Sequence, residues 1–502
     1  MIETTGGRPD LVDTGVSGLD DILRGGLAAN RLYLIGGDPG SGKTTVALQF
    51  LLAGVRRGER CMFVALSETE EELQATAESH GWSLEGIDVV ALSATEATLT
   101  ADSRYTMFHP SEVELAETVK AVFAEAERLK PARLVFDSLS ELRLLAENPL
   151  RFRRQVLAIK QYFARQRCTV LLITDRSNQD FDTELQSIAH GVINIERRSS
   201  DYGAMRRRMQ VVKMRGRDFR GGYHDVLIRT GGVEMFPRLV SAEHRNGRTR
   251  EAILSGLDPL DTLLGEGLAR GTSTLILGPA GTGKSSLATH YAIAAARRGE
   301  RSLLFLFDES VTTFVERSAG LGMDVAALIA DGSLRLQEVD PAELSPGVFA
   351  HGVRRAVEEE GVRLVVIDSL NGYLHAMPNE RFLTLHLHEL LGYLGGKGVT
   401  TLMLMAQHGL IGTTMQVPVD ASYLADTVLL LRYFEAAGEV RQAISVIKKR
   451  TGRHERMIRE LRLVDGIAVG EPLRDFQGVL NGTPEFVGRF AHDAGKGHDA
   501  EP

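Results

Sequence analysis

An α/β fold in two tandem copies, each a mostly parallel sheet flanked by helices, is what this 502-residue sequence predicts. Three observations lead there. The chain repeats itself at a nearly constant offset. Its strands are short, wholly apolar runs, which suit a sheet covered on both faces. Between them lie longer stretches with helical character, so strand and helix alternate as in parallel α/β domains.

The repeat comes first, because missing it would misassign the fold. Gly15-Val16-Ser17-Gly18-Leu19-Asp20, followed by Gly25-Gly26-Leu27, returns as Gly256-Leu257-Asp258-Pro259-Leu260-Asp261, followed by Gly265-Glu266-Gly267-Leu268. Leu19 and Leu260, Asp20 and Asp261, Gly26 and Gly267, and Glu68 and Glu309 all lie 241 positions apart. Downstream the offset slips to 231 for Asp137 and Asp368, and to 235 for Lys213 and Lys448. A stable offset with loop-sized slips marks a duplicated domain rather than a short solenoid repeat.

The first repeat is assigned to residues 12–240 and the second to 251–470, with a polar linker at 241–250 and a tail at 471–502 whose end is expected to be disordered. In the first, Leu32–Ile35 reads as a strand running into a glycine loop, and Val46–Ala53 as the helix after it. Cys61–Leu66, Arg133–Asp137 and Thr169–Thr174 are the next strands. The second repeats the pattern at Thr274–Leu277, Ser302–Phe307, Leu364–Asp368 and Thr400–Met405.

Composition bounds the function. The net charge is −8, which argues against a protein that coats nucleic acid. No apolar run reaches the roughly 18 to 20 residues of a membrane span, and the N-terminus lacks the pattern of a secretory signal. Two cysteines, Cys61 and Cys168, make neither a disulfide framework nor a zinc cluster and read as core filler. A cytoplasmic location is expected.

Two glycine loops carry the chemistry. Gly37-Asp38-Pro39-Gly40-Ser41-Gly42-Lys43-Thr44 and Gly278-Pro279-Ala280-Gly281-Thr282-Gly283-Lys284-Ser285 fit the P-loop pattern at every fixed position. Backbone N–H groups of such a loop cradle phosphates, and the following helix adds its positive end. Gly37, Gly40, Ser41, Gly42, Thr45, Gly278, Gly281, Thr282, Gly283 and Ser286 are assigned to nucleotide binding beside Lys43 and Lys284, which reach the β- and γ-phosphates. Thr44 and Ser285 are the hydroxyl ligands of Mg²⁺. Asp137 and Asp368 each end an apolar strand and precede Ser-Leu, and they are read as the aspartates that complete the metal site. A strand-end cap is the plainer alternative.

Hydrolysis also requires a group to activate water. Glu68 and Glu309 stand at equivalent positions after the second strand of each repeat and are read as that group, with Asp308 beside Glu309. The competing reading is an acid at a helix N-terminus, which Glu70-Glu71-Glu72 also fits.

These residues resemble the KaiC family of RecA-like ATPases. Lys213-Met214-Arg215-Gly216, Lys448-Lys449-Arg450-Thr451-Gly452 and Pro472–Gly482 extend the resemblance from about Thr14 to Val487. It implies two tandem RecA-like P-loop domains stacked as two rings, a homo-oligomer expected to be a hexamer, and ATP with Mg²⁺ held between neighbouring copies. It implies ATPase activity in both domains and serine/threonine autokinase activity in the second. It also implies that Lys213, Arg215, Lys448 and Arg450 reach the nucleotide of an adjacent copy, in the manner of an arginine finger. A cation-rich edge strand is the alternative.

The chain departs from the family pattern in several places. Ser67 stands where the family often has a first glutamate, so Glu68 acts alone. Ser422 matches the phosphorylated serine, but Tyr423 replaces the adjacent threonine, which argues against a two-step serine/threonine cycle and leaves Ser422 or Tyr423 as the acceptor. A family arginine after the second aspartate strand is missing, and His375 stands there. The resemblance is therefore to a KaiC-like regulatory ATPase rather than a clock component, with signalling partners that the sequence does not identify.

Two other readings compete. A DNA-recombination ATPase of the same superfamily draws support from nine Lys/Arg between Arg197 and Arg220, against net acidity and few aromatics for base stacking. A scaffold that binds ATP only to assemble would not need Glu68 and Glu309.

Overall fold

A computed structural model describes residues 10–92, 110–146, 148–175, 185–199, 203–244, 251–343, 345–375, 383–407, 422–464, 466–481 and 484–487. The chain forms two compact units, 1–238 and 239–502.

Among the described residues of the first unit nine strands make one sheet. They are β1 (Leu32–Gly37), β2 (Cys61–Ala65), β3 (Ile87–Ala91), β4 (Arg133–Asp137), β5 (Thr169–Asp175), β6 (Gly191–Arg198), β7 (Arg206–Met214), β8 (His224–Arg229) and β9 (Gly232–Phe236). Their spatial order is β9-β8-β7-β6-β1-β5-β4-β2-β3. Strands β6 through β3 in that order run parallel, and β7, β8 and β9 extend the sheet antiparallel. The second unit holds β10 (Ser273–Gly278), β11 (Arg301–Leu306), β12 (Leu334–Glu338), β13 (Val362–Asp368), β14 (Thr400–Ala406), β15 (Thr427–Ala436), β16 (Glu439–Lys449), β17 (Arg459–Arg462) and β18 (Ala468–Pro472). Its order, β18-β17-β16-β15-β10-β14-β13-β11-β12, repeats the first strand for strand.

The apolar strands are apolar because both faces are covered. Tyr33 and Ile35 of β1 pack with α1 (Lys43–Arg56) through Val46, Phe50 and Leu51. Leu32 and Leu34 face the other way, onto Phe152, Val156 and Phe163 of α5 (Pro149–Arg165). The remaining labelled helices of this unit are α2 (Glu70–Ser79), α3 (Pro110–Leu129) and α4 (Leu139–Ala146). In the second unit α6 (Lys284–Arg297) and α7 (Val311–Gly320) lie on one face, and α8 (Pro346–Glu358) and α9 (Leu383–Gly396) on the other. Both cysteines are buried in these cores.

The strands expected from the sequence are present. The apolar-run pattern does not mark β3 and β12, two half-exposed edge strands, or the antiparallel extensions. Ser241–His244 forms a 3₁₀ turn whose Ser241 N–H donates to Glu389 of α9 at 2.6 Å, so the second unit begins before residue 245. Residues 245–250 and 491–502 lie outside the described residues.

Candidate nucleotide sites

Each site sits where a central parallel strand hands the chain to a helix. After β1, residues 37–42 turn sharply and α1 begins at Lys43. Gly42 takes φ +97° and Gly283, its counterpart, φ +92°, a region that favours glycine. At Gly37 the constraint is space, since a Cβ there would lie 2.3 Å from the Ile195 carbonyl oxygen. These loops lie at the C-terminal edge of the parallel strands, where α/β sheets bind ligands.

In the first site the Lys43 Nζ donates to the carbonyls of Gly37 (3.2 Å) and Asp38 (2.9 Å) and pairs with Asp175 Oδ1 at 2.9 Å. The Thr44 hydroxyl donates to Asp137 Oδ2 at 2.6 Å. Asp137 is buried at the end of β4, and burial pushes its carboxyl up against the opposing pull of Thr44 and Lys43. Ser41 Oγ is buried and has no hydrogen-bond partner among the described residues. The second site repeats the plan. Lys284 Nζ donates to the carbonyls of Gly278 (2.9 Å) and Pro279 (2.7 Å), and the Ser285 hydroxyl bonds Asp368. Thr282 is also buried and donates to the Pro279 carbonyl at 2.9 Å. Thr45 and Ser286 are buried in the first turns of their helices.

The two glutamates differ. Glu68 lies between β2 and α2. The helix cap there belongs to other residues: Thr69 and Glu72 form a reciprocal capping box. Glu68 takes no part in it, and its Oε2 is buried with no hydrogen-bond partner among the described residues. Burial, then the nearby Asp137 and Glu72, push its carboxyl above the usual range. Glu309 is instead held by Arg317 of α7, with Nη2 to Oε1 at 2.7 Å and Nε to Oε2 at 3.3 Å. Asp308 accepts from the Ser369 hydroxyl.

Two residues in these contacts, Asp175 and Arg317, are not among those the sequence motifs select. Asp175 ends β5 as Asp137 ends β4, and it pairs in register with Gly37. Its counterpart, level with Gly278, is Ala406. Strand-end position is the available signal. Arg317 gives none, because only the fold of α7 turns it toward Glu309.

A family model for the KaiC ATPase matches residues 12–240 and again 253–473. The chain belongs to the KaiC family. It is 25% identical over 501 residues to the circadian clock protein KaiC3 of Synechocystis sp., covering 97% of each chain. It is 26% identical over 490 residues to the circadian clock oscillator protein KaiC of Thermostichus vulcanus, with 95% of this chain and 92% of the relative covered. For the KaiC of Synechococcus elongatus the figures are 24% over 488 residues, 94% and 92%. Tandem KaiC ATPase domains therefore carry the two P-loops.

The four cations of this KaiC-family chain that were expected to act on a neighbour lie away from their own P-loops. Lys213 pairs with Val192 at the start of β6, toward the other end of the strands from residues 37–42. Val192 is level with Leu34, three residues before Gly37, so about 10 Å along the strand separates Lys213 from its P-loop. Lys213 Nζ donates to the Gln186 carbonyl at 2.5 Å and Arg215 to that of Ser187. In the second unit Lys448 donates to Ser422 O (2.8 Å) and Ala425 O (2.9 Å), and Arg450 to Tyr423 O at 2.9 Å. Ser422 is half-buried at this edge, while Tyr423 is 53% exposed. Much of the basic segment is spent within the first unit: Arg208 pairs with Glu196, Arg220 with Asp21, and Arg217 donates to the carbonyls of Leu23, Arg24 and Gly26.

The second site carries its own pH limits. Burial pushes Asp368 up to about 6 and Lys284 down to about 8. In a chain carrying Glu68→Gln, kcat/KM for ATP is expected to fall below about pH 6, where Asp368 takes a proton, and above about pH 8, where Lys284 loses one. A profile flat through both limits would show that these groups do not govern the site.

Proposed function

We propose that the chain is a regulatory ATPase that hydrolyses ATP at both P-loops and phosphorylates itself at the edge carrying Ser422. One observation carries the reading: each P-loop lies beside a buried aspartate bonded to the helix hydroxyl, with a glutamate one strand away. The oxygen donors Thr44 and Asp137, and Ser285 and Asp368, suit a hard cation, and the cost of burying each carboxylate is what a bound cation would relieve. Mg²⁺ would be held there and would supply positive charge to the phosphate oxygens. ATP would lie along residues 37–45 and 278–286, with Lys43 and Lys284 moving from loop carbonyls to phosphate oxygens.

For hydrolysis, water attacks the γ-phosphorus, the bond to the β–γ bridging oxygen breaks, and Glu68 or Glu309 takes the proton, giving ADP and phosphate. For transfer, the Ser422 hydroxyl replaces water, its proton passing to Asp308 or Glu309 of an adjoining copy. Ser422 lies beyond the start of β10, at the end of the strands away from its own P-loop, and that placement favours transfer between copies. It equally favours Lys213, Arg215, Lys448 and Arg450 serving a neighbour's nucleotide in a homo-oligomer, with a hexamer as the family expectation. No timing role is proposed.

Incubation with γ-labelled ATP and Mg²⁺, followed by mass spectrometry, tests the kinase half. Label is expected on Ser422, with Tyr423 as the second acceptor, and loss of label in Ser422→Ala. Intact ATP turnover with no label on this segment would reduce the function to hydrolysis alone.

A further inference from the structure

We propose that Arg317 is a positioning residue that holds Glu309 in reserve, so that the second site activates water only when the Arg317–Glu309 pair opens. The inference rests on the reading of Glu309 as the water-activating group.

The geometry is specific. Both oxygens of Glu309 are engaged by one guanidinium, the fork arrangement that arginine forms and lysine does not. The pair is mostly shielded, with Glu309 20% and Arg317 27% exposed, so water screens it weakly. The guanidinium lies 5.1 Å from the centre of the Phe314 ring, one turn back along α7. Its remaining nitrogen, Nη1, reaches Ser286 Oγ at 3.4 Å, in the first turn of the helix that follows the second P-loop. A carboxylate with both oxygens committed this way is poorly placed to orient water or accept its proton.

The first repeat lacks the device. Thr76 stands where Arg317 stands, 241 positions earlier, and Thr45 matches Ser286. Glu68 has a buried oxygen with no hydrogen-bond partner among the described residues. The two sites thus share a P-loop, a metal aspartate and a glutamate, but only in the second is the glutamate tied down. Since Arg317 also touches the P-loop helix, filling the loop and opening the pair involve the same element.

The test reads the second site alone, in full-length chain carrying Glu68→Gln. Arg317→Met, which keeps an apolar stem over Phe314, is expected to raise kcat by roughly ten- to a hundredfold, the scale of one charge-assisted bond, with KM for ATP moving less than about twofold. Arg317→Lys is expected to fall between, because an ammonium cannot hold both oxygens. The reciprocal change, Thr76→Arg in a chain carrying Glu309→Gln, is expected to lower first-site kcat by a similar factor. A kcat that falls in Arg317→Met would overturn the proposal, since Arg317 would then be stabilising the reacting phosphate; an unchanged kcat would also overturn it. Should Arg317→Met fail to fold, Thr76→Arg decides by itself, and a first-site kcat that stays level or rises rejects the idea. The underlying reading fails separately: full turnover in the Glu68→Gln/Glu309→Gln chain would remove Glu309 from catalysis, whereas a dead double variant with no Arg317 effect removes only the reserve.

Discussion

Replacing Glu68 and Glu309 together by glutamine is expected to cut ATP turnover by about 10²- to 10⁴-fold, the contribution of a positioned proton acceptor. The amide keeps the size and hydrogen bonding of the carboxylate but cannot take a proton. Nucleotide affinity should survive, because the P-loops, Lys43, Lys284 and the aspartates proposed to hold Mg²⁺ are untouched. Glu68 has the properties such a base needs, since burial and Asp137 raise its carboxyl and make it a stronger base than a free glutamate. The same shift places the acid limit of first-site turnover above the ordinary glutamate range, with activity lost as pH falls through it. Measured turnover equal to that of the unaltered chain would remove both glutamates from catalysis.

Removing Lys448 and Arg450 together is expected to lower second-site turnover by about 10³- to 10⁵-fold if they act as trans cations on the transferring phosphate. The sharper measurement mixes two inactive chains in a Glu68→Gln background. One carries Lys448→Ala/Arg450→Ala and keeps its P-loop; the other carries Lys284→Ala and keeps its cations. Random assembly pairs an intact pocket with intact cations at about a quarter of the interfaces, so about that share of turnover should return. A mixture that assembles but stays dead would assign these residues to their own chain, where they already hold the carbonyls of Ser422, Tyr423 and Ala425.

Much of this is legible in the sequence because it is written locally. A short strand buried on both faces must be mostly apolar, so β1, β4 and β5 and their counterparts stand out. The P-loops are equally plain, since few loops need glycine and lysine at that spacing. Edge strands β3, Ile-Asp-Val-Val-Ala, and β12, Leu-Arg-Leu-Gln-Glu, stay hidden because one side of each meets solvent and the apolar run is broken. Asp175 and Arg317 are hidden for another reason. Beyond the strand-end position of Asp175, nothing near them in the chain marks them, and their partners Lys43 and Glu309 are fixed by sheet register and by the direction in which α7 faces.

By itself, then, the sequence determined the duplication, the parallel α/β plan, the two phosphate loops and the aspartates at the strand ends, since each is a pattern of neighbours along the chain. Tertiary structure alone decided that Glu68 keeps a buried oxygen without a hydrogen-bond partner among the described residues while Glu309 is clasped, and that Lys213 and Lys448 stand away from their own P-loops. Charge partners and strand edges are relations across space, and only the packed sheet brings residues distant in sequence close enough for Coulomb forces to act.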